Sequence, residues 1–163
     1  WLLLLFLAET FTGSVLRLFE SELSRVVALS FFIPLLIGTG GNTGAQTVST
    51  LIRGLALGEI RLRDTFRVIL RELAGGLLLG LTLGAVAFGR ALLWGSSYAL
   101  AAVVGLTIVV ICTWANTIGS LIPLIAQKLK IDPAVVSAPL ITTLVDATGL
   151  AIYLLIAKVL LGL

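Results

Sequence analysis

Five apolar stretches, roughly residues 1–16, 26–52, 68–88, 98–125 and 134–161, follow one another with only short polar breaks. This succession constrains the fold more than any other feature. A bilayer's hydrocarbon core asks for ~20 apolar residues per spanning helix, whereas barrel strands would be ~10 residues with strict alternation. Nothing here alternates. The expected fold class is therefore an all-α membrane protein with five transmembrane helices, forming one domain over residues 1–163. The first stretch is short for a span, as in a chain trimmed at its front. Because the chain has no Met, Trp1 is expected to be a processing boundary with further chain ahead of it. Composition agrees: 59% hydrophobic and 12% charged residues, against about 45–50% and about 25% in soluble domains. A water-soluble enzyme and a disordered tail are both excluded on these figures.

The polar breaks distinguish the two sides. Arg53, Arg61, Arg63, Arg67 and Arg71 separate the second and third spans, and Lys128 and Lys130 the fourth and fifth. Together they are seven of the 11 Lys and Arg residues. The positive-inside rule places this side in the cytoplasm. The chain is thus expected in the cell (inner) membrane with a cytoplasmic N-terminus and an external C-terminus. The net charge of +3 is accounted for by orientation, with no nucleic-acid partner implied. Arg17–Arg25 reads either as a short helix on the outer interface or as a solvated loop.

Little conventional catalytic chemistry is available. There is no His, and the one cysteine, Cys112, sits in an apolar run where core or lipid-facing packing is the expectation. No nucleophile–base pair can be assembled, so the chain is not expected to be an enzyme. In the third span Gly75, Gly76, Gly80 and Gly84 form a small-residue row suited to helix packing. Glu72, just before that row and next to Arg71, reads as a snorkelling or paired charge, or as part of a vestibule.

The second span is less uniform. Pro34 should kink it, and Gly38, Gly40, Gly41 and Gly44 argue against a continuous rigid helix. Thr39, Asn42, Gln46, Ser49 and Arg53 recur at three- and four-residue steps, forming a polar stripe if the segment is helical. Such groups in hydrocarbon need partners, either another helix or water, and a wet path accounts for so many of them. The glycine run fails as a nucleotide motif: neither the G-x-G-x-x-G spacing nor a following Lys-Ser/Thr pair is present.

The fifth span carries the sharpest signal. Asp132 and Pro133 read as a helix start. Asp146 follows about 14 residues later, ~21 Å along the axis and deep in the membrane. Insertion there costs ~2.5–3.5 kcal/mol, and no Lys or Arg lies within two turns on this helix. A carboxylate facing a cation pathway, or a protonated Asp bonded to a neighbour, would account for it. Thr142, Thr143, Gly149 and Tyr153 lie to the same side at helical steps, and Pro139 is expected to free a carbonyl oxygen. Carboxylate, hydroxyls and carbonyls form a hard-oxygen environment suited to magnesium or calcium. Magnesium keeps several waters, so one carboxylate per chain is compatible with it. In the fourth span, Asn116, Gly119 and Pro123 suggest a supporting broken helix.

At this point the run PLLIGTGGNTGAQTVSTLIRGLALGEI (34–60) resembles the signature of MgtE-type magnesium channels. DPAVVSAPLITTLVDATG (132–149) resembles the same family's last helix, and the spacing Ala115, Gly119, Pro123 its fourth. The resemblance implies a five-helix domain forming a homodimer, with a pore on the symmetry axis lined by the second and fifth helices. It makes Asp146 the pore carboxylate holding hydrated Mg2+, with a backbone contact at Thr142. Asn42 and Gln46 would shape the pore, and Asp132 would stand at its cytoplasmic mouth. Thr43 stands where many relatives have Ala, and Ala138 where others have Gly or a polar residue; both touch the pore wall and bear on selectivity among magnesium, manganese and calcium. Relatives commonly carry cytoplasmic regulatory domains that close the pore when magnesium is abundant. These are not in the 163 residues, so that gating is not expected of them alone. Two Asp146 carboxylates facing each other across an axis would stay ionised together only with a cation between them.

Two other readings stay open at this level. One is a proton- or sodium-coupled secondary transporter using Asp146 and Glu9, since broken helices occur in such carriers. The other is a scaffold in which Asp146 pairs with a partner and nothing is transported.

Overall fold

The computed structural model describes residues 1–132 and 137–163. Helices are the only regular structure among them: α1 (Leu2–Leu18), α2 (Glu20–Arg25), α3 (Ala28–Ala56), a 3-10 turn (Leu62–Asp64), α4 (Thr65–Leu93), α5 (Tyr98–Lys128) and α6 (Ala138–Leu161). Three segments are long and apolar enough to cross a membrane: Leu62–Leu93, Tyr98–Lys128 and Ala138–Leu161. At 17 residues, α1 is shorter than the usual span. Short α2 occupies the place expected for either an interfacial helix or a loop.

Apolar α5 is central, packing against α3, α4 and α6, whereas α4 packs mainly on α5 and α1 mainly on α6. The main core joins Leu29, Phe32 and Leu36 of α3 to Val104, Ile108 and Ile111 of α5 and Leu150, Tyr153 and Leu154 of α6. Cys112 is wholly buried within it, so the thiol is core packing. The α4–α5 contact is a seam of bare backbone. A Cβ on Gly76 would fall 2.9 Å from the Cys112 carbonyl oxygen, on Gly80 2.8 Å from the Val109 Cα, and on Gly84 2.6 Å from the Gly105 carbonyl oxygen. These glycines are there for close approach, as their spacing predicts.

Two local expectations are corrected. The glycine run does not interrupt α3, which is helical from Ala28 to Ala56 through Pro34 and all four glycines. Local propensity loses to packing here, because Gly40 and Gly44 are where Ile111, Val145 and Ile141 press against the α3 backbone. Nor is the fourth span broken, since α5 runs unbroken through the buried Pro123. Helix α6 begins at Ala138 with Ser137 at its N-cap, and Pro139 lies in its first turn. Proline is tolerated there because that N–H has no intrahelical acceptor, and the carbonyl it is expected to free, four residues earlier, lies outside the described residues. The expected start at Asp132 and Pro133 falls partly on residues 133–136, outside the described residues.

Candidate functional site

In the first half of α6, Asp146 is only 8% exposed, and its Oδ1 is buried without a hydrogen-bond partner. An unpaired carboxylate oxygen away from water is costly, so this atom is the strongest pointer to a ligand. Gly41 of α3 forms the wall opposite. A Cβ there would stand 3.0 Å from Asp146 Oδ1 and 2.9 Å from Thr142 Cγ2. The missing side chain is what lets α3 close over the carboxylate. One turn before Asp146, the Thr142 hydroxyl donates to the Ala138 carbonyl at 3.0 Å. Thr142 and Thr143 are both half-buried.

Other expected site residues fall elsewhere. Gly149 is buried with its Cα against Ile111 of α5. Tyr153 is fully buried, and its hydroxyl donates to the Leu29 carbonyl at 3.0 Å, pinning α6 to the start of α3. Asp132 is exposed in the segment before α6. Asn42, Gln46, Ser49 and Arg53 are all exposed along α3, so the polar stripe exists and faces out of the single chain.

Asn42 and Gln46 also border a cavity of about 460 Å³ between α3, α4 and α5, together with Thr47, Arg71, Glu72 and Asn116. Within it the Thr47 hydroxyl donates to Asn116 Oδ1 at 2.9 Å. The Asn116 amide donates to the Glu72 carbonyl at 3.1 Å and to its carboxylate at 3.5 Å. Glu72 is thus tied to Asn116 across the helix interface. Thr47 escaped the sequence reading because it lies one position off the stripe and its partner is 69 residues away. Among the described residues no three acidic, His or Cys side chains converge as a metal cage would require.

At the other end of the bundle, Glu22 of α2 accepts from Lys158 of α6 at 2.7 Å and from the Ser21 hydroxyl, also at 2.7 Å. The bond from Lys158, then that from Ser21, holds the Glu22 carboxyl down at about 2, below its ordinary 4.5.

Residues 33–156 match the family model MgtE, described as a divalent cation transporter. Three proteins called magnesium transporter MgtE are similar. That of Thermus thermophilus is 47% identical over 99% of this chain and 36% of its own length. That of Bacillus subtilis is 38% identical over 96% of this chain and 35% of its own length, and that of Enterococcus faecalis 37% over 97% and 35%. The chain spans about a third of the length of these curated relatives. With a match this long to the family model and identity at this level across nearly every residue, the chain belongs to the MgtE family of divalent cation transporters.

Proposed function

We propose that this chain is the membrane pore of a magnesium transporter, with five spanning helices (α1, α3, α4, α5 and α6) and a homodimeric assembly. In this reading α3 and α6 line a path on the dimer axis, and Asp146 of each protomer holds a hydrated Mg2+ there. Asp132 stands at the cytoplasmic mouth and Thr142 adds a backbone contact. Asn42, Gln46, Thr143 and Gly149 belong to the pore wall. The Arg-rich end lies in the cytoplasm, which puts the N-terminus inside and the C-terminus outside.

The observation that carries the reading is the buried, unpartnered Oδ1 of Asp146. The outward stripe on α3 supports it. Exposed Asn42, Gln46, Ser49 and Arg53 would face hydrocarbon in a lone protomer, whereas a second copy and enclosed water satisfy them. Inward movement of a divalent cation then gains about 4.6 kcal/mol per 100 mV, twice the single-charge figure. Magnesium uptake into proteoliposomes tests this. Asp146→Ala and the isosteric Asp146→Asn should abolish potential-driven flux, and wild-type uptake by both would overturn the reading. Flux that needs a sodium or proton gradient would favour the coupled carrier instead.

A further inference from the structure

Glu9 of α1 is a second carboxylate in the apolar part of the bundle, and its place follows from how α1 lies on α6. The Trp1 indole N–H donates to the Ser137 hydroxyl, and Lys158 donates to Glu22. Both ties join residues 136 apart in the chain. The first tie sets the start of α1 beside that of α6, and the second, made by α2 just past the end of α1, shows that the two helices run parallel with a similar offset. Carrying the offset to Glu9 arrives at Val145, the neighbour of Asp146. By helical rise Glu9 is ~12 Å from Trp1 and Asp146 ~13.5 Å from Ser137, so the carboxylates share a depth.

Direction agrees with depth. The buried positions of α1 are Leu5 and Thr12. Glu9 lies four residues after one and three before the other, which puts it on the flank of the same face. Glu9 is itself exposed, whereas Asp146 Oδ1 is buried and unpartnered. An exposed carboxylate at this depth is expensive against lipid and inexpensive beside a cation.

We infer that Glu9 is a second carboxylate of the cation site, acting through water on the hydrated divalent ion held at Asp146. This rests on the pore reading above. Each protomer then offers the ion two negative charges from two helices, so the site discriminates by ionic charge as well as by fit. Glu9 shapes the field, and Asp146 is the nearer group.

The test is magnesium uptake by the reconstituted protein over a range of magnesium concentrations, alongside magnesium-dependent thermal stabilisation in detergent. Glu9→Gln, which keeps shape and removes charge, should raise the half-saturating concentration in both measurements by roughly tenfold, the scale of one screened charge acting on a divalent ion. It should also narrow the preference for magnesium over potassium, and Glu9→Asp should restore most of both. Wild-type half-saturation and ion preference in Glu9→Gln, with Asp146→Asn inactive, would overturn this inference and leave the pore standing. Wild-type uptake by Asp146→Asn would remove the pore reading and this one together. A Glu9→Leu variant that binds magnesium as wild type does would mark Glu9 as lipid-facing, which also overturns it.

Discussion

Gly41 and Asp146 show how much of a site can depend on an absent side chain. The Cβ of an alanine at position 41 would meet Asp146 Oδ1 at 3.0 Å and Thr142 Cγ2 at 2.9 Å, both at the ends of side chains that can swing aside. Gly41→Ala should therefore leave thermal stability within about 1 kcal/mol of wild type while displacing the carboxylate. The expected signature is uptake reduced several-fold with an unchanged melting temperature. Unimpaired uptake would mean that the Asp146 rotamer is not critical. Asp146 was legible in the sequence because a lone charge in an apolar run is a local anomaly with a known cost. Its neighbour was not. Gly41 sits among four glycines, and nothing local shows which of them faces a carboxylate about a hundred residues away.

The same residue type has a different meaning at the level of the helix. Along α4, Gly76, Gly80 and Gly84 oppose backbone, which cannot swing aside. Gly84→Ala would set a Cβ 2.6 Å from the Gly105 carbonyl oxygen, so α4 must move off α5. Overpacking of this kind costs roughly 1–3 kcal/mol, and thermal unfolding in detergent should show that loss, against almost none for Gly41→Ala. The all-helical class was readable because apolar runs this long, without alternation, are a local signal. What failed was the inference from glycine and proline to broken helices. In α3 and α5 the freed space is filled by Ile111, Ile141, Val145 and Thr47, so packing outweighs a weak propensity. The helix that holds Asp146 starts at Ala138, where Ser137 is extended and Pro139 fits the first turn, a choice that packing makes and no local residue announces.

For the whole molecule, the Glu22–Lys158 pair ties the α1–α2 arm to the end of α6. The Glu22 carboxyl titrates at about 2 when folded, against an ordinary 4.5. A lowered value means stabilisation that is present above the ordinary value and is lost as pH falls from 4.5 toward about 2. Lys158→Gln should lower stability at neutral pH and flatten the loss on acidification in that window, as followed by thermal unfolding across pH. An identical acid profile in the variant would assign the acid sensitivity elsewhere. The pair was not visible in the sequence, since its partners are 136 residues apart, and each alone reads as an interfacial charge. The two ties of the α1–α2 arm to α6, one at Trp1 and one at Glu22, also have a mechanical consequence. An axial slip of that arm along α6 by one helical turn, ~5.4 Å, would have to break the Trp1 and Glu22 bonds together. A shift of α6 along its axis therefore carries the α1–α2 arm with it.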